Sequence, residues 1–586
     1  MSLFKRYYPV LVAVLVAVLP FGMNTYWTEV AVNVGLYALL ALSLNVILGQ
    51  AGIFHMGHAA FYAVGAYVTA ILNTHYQIPI LLLIPVAGAA AALFALVVAR
   101  PIIHLRGDYL LIVTIGIVEI VRIALINDVF GLTGGANGIF GIARPEIFGI
   151  KIRKAIQFYY LIWIMVGLTV LLFHWLSESR FGRALNCIKE DDTAAEGCGM
   201  DVAHLKLMAF VIGAFWAGMA GNLFAAKMTI ISPSSFTFWE SVVVFAVVIL
   251  SGGSQIGVLL GTFLIVALPE MFRDFASARM LVFGLAMMIM MVVRPQGLLP
   301  PSPRRYDVRR LLRRTRDFSS PVAPPDGPEG GRGMSLLSLQ TVTKIFGGLT
   351  AVNEVSFDVE QGSIVGLIGP NGAGKTTVFN LITGNYVPDG GDIRFAGQSI
   401  KGMKPHTIVS LGIARTFQSI RLFPTLPLVE NVLAGRHCRM HSGIIGSMFH
   451  TPAQRREERA ALERAMNELE FVGLADSYAE EAGSLSYGNQ RLLEIARALA
   501  SDPKLIILDE PAGSMNDPET AVLIELIYAI RQRGVTVLLI EHDMGLVMKV
   551  CEKLLVLEYG SLIASGSPDV VRRDPKVIEA YLGQDD

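Results

Sequence analysis

Apolar runs follow one another through the first three hundred residues, broken by short polar stretches. They lie at Tyr8–Met23 and at about 30–49, 55–73, 79–99, 109–126, 157–176, 206–226, 239–251, 256–271 and 279–293. Each is long enough to cross, or nearly cross, a hydrocarbon layer about 30 Å thick. The pattern predicts an all-α polytopic membrane domain of about ten helices. Gly252-Gly253 interrupts the two shorter segments near 239–271, where re-entrant pieces are an alternative to full spans. Small residues such as Ala87-Gly88-Ala89-Ala90-Ala91-Ala92 predict close helix contacts. After residue 335 the pattern changes. Short apolar runs at Ile364–Ile368, Leu505–Leu508 and Val535–Ile540 read as buried parallel strands. Arg455–Glu470 interleaves charges with Ala461, Leu462, Ala465, Met466 and Leu469, an amphipathic helix with a solvated charged face.

Between the two patterns stand seven arginines, Arg304, Arg305, Arg309, Arg310, Arg313, Arg314 and Arg316, suited to anionic membrane lipid. A proline- and glycine-rich stretch, Ser319–Gly333, reads as an extended tether. The domains expected are therefore a membrane domain at 1–300, a linker at 301–334 and a soluble α/β domain at 335–586. Met334 looks like the start of a once-separate protein.

Composition agrees with half the chain being membrane. Of 586 residues 53% are hydrophobic and only 16% charged, too apolar a balance for an ordinary soluble protein. Acidic and basic residues balance at 48 each, which argues against a general nucleic-acid binder. The four cysteines are scattered without metal-like spacing and are expected to be reduced thiols. Most basic residues near the membrane segments lie inside if the N-terminus is inside. The segment 127–156, with Arg144, Lys151, Arg153 and Lys154 outside, breaks that rule.

Gly369-Pro-Asn-Gly-Ala-Gly374-Lys375-Thr376 follows the first buried strand and precedes a helix-forming run. It fits the phosphate-loop pattern, in which backbone N–H groups and a helix dipole hold phosphates. Lys375 can reach the terminal phosphates and the Thr376 hydroxyl suits Mg²⁺; Asn371, Gly372 and Thr377 complete the loop's nucleotide set. The strand at 505–508 ends in Asp509 and Glu510. Asp509 suits the Mg²⁺ shell, and Glu510 is placed to orient or deprotonate a water. His542 follows the strand at 535–540.

These motifs, with Leu485-Ser486-Tyr487-Gly488-Asn489-Gln490 between them, resemble the ATP-binding cassette of ABC transporters over roughly residues 335–586. The resemblance implies an α/β P-loop ATPase with a helical subdomain, binding ATP and Mg²⁺. It places Phe346 on adenine, Gln418 (in Thr416-Phe417-Gln418) at the metal and attacking water, and Ser486 and Gly488 on the γ-phosphate of an opposing subunit. It names Glu510, His542 and Gln418 as catalytic, and Thr376, Gln418 and Asp509 as metal-facing. Two departures stand out: Tyr487 and Asn489 alter the usual signature, and Asn516 replaces a common aspartate, which puts communication between subunits in question.

The first half resembles the permeases of branched-chain amino acid uptake systems. The residues that carry this are Gly57-His58-Ala59-Ala60-Phe61, Leu105-Arg106-Gly107-Asp108-Tyr109, Leu132-Thr133-Gly134-Gly135-Ala136-Asn137-Gly138 and Arg294-Pro295-Gln296-Gly297-Leu298-Leu299. Ile540-Glu541-His542-Asp543-Met544 and Ala580-Tyr581-Leu582-Gly583 resemble the ATPase of the same systems. The polar stretch Glu178–Lys206 resembles the loop by which such permeases press on their ATPases. Glu119 and Arg122, three apart in a membrane helix, are expected to pair and face the bundle interior. A packing or hydrogen-bonding role is expected for His58.

The resemblance implies ATP-driven import of branched-chain amino acids across a bacterial inner membrane, the ATPase being cytoplasmic. Importers of urea or short amides are the alternative solute class; an exporter and a membrane-tethered regulatory ATPase fit the residues less well. Partners implied are a second permease and a second ATPase, as a heteromer or less often a homodimer, a periplasmic solute-binding protein, and membrane lipid.

Overall fold

A computed structural model describes residues 16–271 except 106, 129, 130 and 148, scattered positions between 284 and 299, Tyr306, 335–513 and 515–582. The start of the first apolar run, most of 279–293, the linker apart from Tyr306, Ser514 and Gly583 lie outside the described residues. The chain divides into two compact units. One comprises Met1–Lys189, Val202–Ser302 and Ser447–Phe449; the other comprises Glu190–Asp201, Pro303–Gly446 and His450–Asp586.

The first unit is built of α1 (Thr25–Asn45), α2 (His58–Tyr76), α3 (Ile80–Ile102), α4 (Asp108–Ile126), α5 (Ala155–Ser177), the polar α6 (Arg180–Glu190), α8 (Val202–Met228), α9 (Phe238–Ser251) and α10 (Gln255–Thr262). Between α6 and α8 stands α7 (Asp192–Gly197), which belongs to the second unit. Asn24 opens α1 by accepting from the Trp27 N–H at 2.9 Å. Among the described residues six stretches are long and apolar enough to cross a membrane: Thr25–Gln50, Ile80–Ile102, Asp108–Ile126, Ala155–Ser177, Val202–Met228 and Pro233–Ser251.

The other four expected segments account for the difference from ten. α2 is helical over 19 residues but carries polar Thr69, Asn73, Thr74 and His75. Gln255–Met271 is shorter, and it contains a π-turn at Phe263–Ala267. The first half of Tyr8–Met23 and most of 279–293 fall outside the described residues. Gly252, in the left-handed region at φ 77°, ends α9, and Ser254 starts α10 by accepting from the Gly257 N–H.

Burial orders the bundle. The apolar window of α1 is 89% buried and that of α4 only 17%, so α1 lies at the centre and α4 at the edge. Backbones approach through glycine: a Cβ on Gly65 would fall 2.3 Å from the Gly218 carbonyl oxygen. Buried polar side chains pair across helices. Asn222 donates to Thr69 Oγ1 at 3.0 Å, Trp216 to Thr169 Oγ1 at 2.9 Å, and His58 Nε2 lies 2.7 Å from Ser43 Oγ. His58 thus takes the hydrogen-bonding role. Glu119 and Arg122 do pair, at 2.7 Å, but their side chains are 37% and 32% exposed because α4 is peripheral in this chain.

The second unit is α/β. Its antiparallel sheet contains β1 (Ser335–Phe346), β2 (Leu349–Glu360), β4 (Gly390–Phe395) and β5 (Gln398–Ser399), in the order β2-β1-β4-β5. Its second sheet has six strands, β3 (Ile364–Ile368), β6 (Ile413–Arg415), β7 (Leu505–Asp509), β8 (Thr536–Ile540), β9 (Lys553–Glu558) and β10 (Ser561–Gly566), in the order β6-β7-β8-β3-β9-β10. All its pairings are parallel except β9 with β10. Every residue of β3, β7 and β8 is buried, which explains their uninterrupted apolar sequence. The helices of this unit include α11 (Lys375–Ile382), α12 (Leu428–Gly435), α13 (Pro452–Phe471), α14 (Tyr487–Leu499) and α15 (Asp517–Gln532). On α13, Ala461, Ala465, Met466 and Leu469 are buried in one core with α12 and α14, as the amphipathic pattern predicts.

Candidate nucleotide site

The parallel sheet aligns the C-terminal ends of β3, β6, β7 and β8, and loops leaving those ends carry the candidate residues. In the turn from β3 to α11, Gly374 has φ 96°, and a Cβ there would lie 2.4 Å from the Ala351 carbonyl oxygen. Only glycine satisfies both constraints. Lys375 is folded inward, its Nζ donating to the carbonyls of Gly369 at 2.6 Å and Pro370 at 2.9 Å. Burial holds its ammonium below the usual 10.5, against the opposing pull of Glu510 and Asp509. Asn371, Gly372 and Thr376 are exposed at the loop and Thr377 is half-buried.

Glu510 follows β7 in the left-handed region at φ 47°, and its N–H donates to the Ile540 carbonyl at 2.9 Å. That turn presents its carboxylate to two other loops. Oε1 lies 2.9 Å from His542 Nε2, and Oε2 accepts from Gln418 Nε2 at 3.1 Å. Three residues separated by up to 124 positions therefore meet at one carboxylate. They do so because β6, β7 and β8 are consecutive neighbours in the sheet.

Asp509 is 1% exposed. Its Oδ2 accepts from Arg415 at 2.8 Å, while its buried Oδ1 has no hydrogen-bond partner among the described residues. A buried carboxylate oxygen with no hydrogen-bond partner fits a hard divalent cation such as Mg²⁺.

Comparison with known proteins bears on both halves. The family described as "Branched-chain amino acid transport system / permease component" matches residues 26–293. "ABC transporter" matches 352–513, and "Branched-chain amino acid ATP-binding cassette transporter" matches 561–586. Over 250 residues the chain is 47% identical to the high-affinity branched-chain amino acid transport ATP-binding protein BraF of Pseudomonas aeruginosa, covering 98% of that protein and 42% of this chain. Over 320 residues it is 38% identical to the permease protein LivM of Escherichia coli, covering 75% of it and 50% of this chain. Among solved structures, the ATP-binding cassette MJ1267 in its ADP conformation is 34% identical, with 43% of this chain and 100% of that one covered, at a TM-score of 0.38.

The chain belongs to the branched-chain amino acid family of ABC transporters. It joins a permease half and an ATP-binding cassette on one polypeptide, and the cassette is an ATP-binding ATPase.

Other cassette residues named from the sequence lie apart from this cluster. Phe346 ends β1, 40% exposed, with its ring edge-on to Tyr386 at 5.1 Å. Ser486 is the N-cap of α14, its hydroxyl facing the Asn489 N–H, and Gly488 packs so closely that a Cβ would meet Glu519 Oε1 at 2.5 Å. Among the described residues no hydrogen bond joins either to the phosphate loop. The unusual Tyr487 receives the Arg491 guanidinium 5.8 Å from its ring centroid. Asn516 caps α15 in a reciprocal box with Glu519, a local role that asparagine fills as well as aspartate.

Several residues of the site escaped the sequence reading. Arg491, 1% exposed on α14, donates to the Phe417 and Gln418 carbonyls and pairs with Glu494 at 2.9 Å. Arg415 holds Asp509 and Asn380. Glu541 accepts from the Ala512 N–H at 2.6 Å and the His542 N–H at 3.0 Å, and burial pushes its carboxyl up. A charged residue within a mostly buried helix was the available signal for Arg491, and one directly after a buried strand for Glu541.

Proposed function

We propose that the chain is the fused permease and ATPase subunit of an ATP-driven importer of branched-chain amino acids. One observation carries the reading: the permease half and the cassette, compared separately, each match components named for the same transport system. The working domains are a permease at 1–300, a linker at 301–334 and a cassette at 335–586.

In this reading Lys375 and the loop amides bind the β- and γ-phosphates of ATP, and Phe346 stacks on adenine. Asp509, Thr376 and Gln418 hold Mg²⁺, which supplies charge neutralisation at the phosphates when bound. Glu510 takes the proton of the attacking water. His542 and Gln418, both within hydrogen-bond distance of its carboxylate, orient it. Ser486 and Gly488 face away from this chain's own phosphate loop in role, and serve the γ-phosphate held by a second cassette. Two cassettes and two permeases are therefore needed, and a heteromer with a second permease, a second ATPase and a periplasmic binding protein is the assembly proposed. The membrane is the bacterial inner membrane, with the cassette in the cytoplasm.

Reconstituting the complex with its binding protein tests the reading. Leucine, isoleucine or valine should stimulate hydrolysis and accumulate in vesicles. Stimulation by urea or a short amide alone would overturn the solute assignment, and stimulation by none would overturn import.

A further inference from the structure

In the membrane domain Tyr37 of α1 donates to Glu240 Oε2 at 2.7 Å, across 203 positions of sequence. Tyr37 stands twelve residues from Thr25 and thirteen from Gln50 in the apolar span Thr25–Gln50. At a rise of ~1.5 Å per residue that is about 18 Å from the Thr25 end, the middle of the span. Glu240 lies in the first turn of α9, so α9 begins beside the middle of α1. Two neighbouring contacts hold it there. The Ala59 N–H, at the start of α2, donates to Ser241 Oγ at 2.9 Å, and His58 Nε2 lies 2.7 Å from Ser43 Oγ on α1. Ser43, His58 and Ser241 are each at most 1% exposed.

Glu240 differs from Glu29 and Glu119. Glu29 has Lys227 at 3.0 Å and Glu119 has Arg122 at 2.7 Å, whereas no cation pairs with Glu240 among the described residues. Tyr37 is its one hydrogen-bond partner among them, which leaves Oε1 accepting nothing. A carboxylate inside an apolar bundle is costly without a counter-charge, and such a group marks a ligand or a pathway. Glu240 is half-buried rather than sealed. A polar stripe leads to it, because Glu29, Asn33 and Tyr37 recur every fourth residue along one side of α1, and Asn33 is exposed.

We propose that Glu240, oriented by Tyr37, binds the ammonium group of the amino acid as it crosses the permease. The proposal rests on the importer reading and deepens it, by naming the group of the solute that the membrane domain recognises. A primary ammonium brings three N–H donors and a full positive charge, the counter-charge that Glu240 lacks. One turn further along each helix, Val244 on α9 and Leu40 and Ala41 on α1 are buried and Val243 is half-buried. These apolar surroundings suit an aliphatic side chain. Urea and short amides carry no cation, so the same site disfavours them.

The test is leucine uptake into proteoliposomes holding the complete transporter, with loaded binding protein outside and Mg-ATP inside, read beside hydrolysis by the same vesicles. Glu240→Gln keeps the size and the Tyr37 bond but removes the charge. Its uptake should fall by about tenfold or more, while stimulation of hydrolysis by loaded binding protein stays within about twofold of wild type. Glu240→Asp keeps the charge and should recover part of the lost uptake. Tyr37→Phe frees the carboxylate and should lower uptake by about threefold. Wild-type uptake in Glu240→Gln overturns the proposal. So does a joint loss of uptake and stimulated hydrolysis in both Glu240→Gln and Glu240→Asp, which would make the carboxylate a structural part of the bundle. Failure of the importer reading looks different: the wild type itself takes up no leucine.

Discussion

His542 Nε2 and Glu510 Oε1 stand 2.9 Å apart, joining the loops after β8 and β7 at the carboxylate that Gln418 also reaches. A base held from two sides has its orientation set before substrate arrives, so its removal should affect chemistry far more than binding.

Glu510→Gln preserves size and removes the base. Phosphate release should fall by roughly 10²- to 10⁴-fold in a complex whose partner cassette is equally disabled, with ATP affinity retained. Stopped-flow phosphate release beside equilibrium nucleotide binding checks this. A parental hydrolysis rate would remove Glu510 from the proposed role.

ATP binding should weaken as pH rises through an alkaline window. Burial holds the Lys375 ammonium below its usual 10.5, so the free protein loses that proton earlier than an exposed lysine would. The triphosphate binds the charged form, so above the lowered pKa binding must take up a proton and affinity declines, by up to about tenfold per pH unit. Calorimetric titrations in buffers of different ionisation enthalpy, between about pH 7 and pH 10, report the proton uptake directly. Lys375→Met should abolish the pH dependence along with most of the affinity.

Arg491→Met should destabilise the cassette by about 3–5 kcal/mol, because it leaves Glu494 buried with Arg497 as its remaining ion-pair partner, at 3.7 Å. It also frees the carbonyls of Phe417 and Gln418, so kcat should fall even where the protein stays folded. Thermal unfolding of the full chain, read beside the turnover of its folded fraction, separates the two effects. Arg491→Lys should recover part of the stability but not the forked grip on both carbonyls.

Arg122→Ala should lower the yield of folded protein, since it strands the Glu119 carboxylate in an apolar span at a cost of about 2.5–3.5 kcal/mol. The double neutral variant Glu119→Gln/Arg122→Gln should recover most of that loss. Detergent-solubilised, monodisperse protein is the measurement, and an equal yield from Arg122→Ala and wild type would show that the pair carries no such weight.

Glu510 and His542 were legible because each follows a short apolar strand whose end can be read from hydropathy, whereas Gln418 was named from the family resemblance. Gln418, Glu510 and His542 could be named from motifs, but nothing linear states that β6, β7 and β8 are neighbours. Arg415 and Arg491 were missed for the same reason. Each acquires its function largely from groups 73 or more positions away, the Asp509 carboxylate for Arg415 and the Phe417 and Gln418 carbonyls for Arg491. Glu119 and Arg122, by contrast, could be paired from helical spacing alone, while their exposure depended on which helices this chain lays over α4.

Local information, then, was enough for the two halves, the membrane runs, the phosphate loop and the carboxylate pair. These follow from patterns a few residues long, set by strand and helix periodicity and by the backbone freedom of glycine. Tertiary structure alone decided that Asp509 receives Arg415 and that Asp191 receives Arg421. Those relations depend on the packing of elements remote in the chain, and packing is a property of the whole core that no single stretch contains.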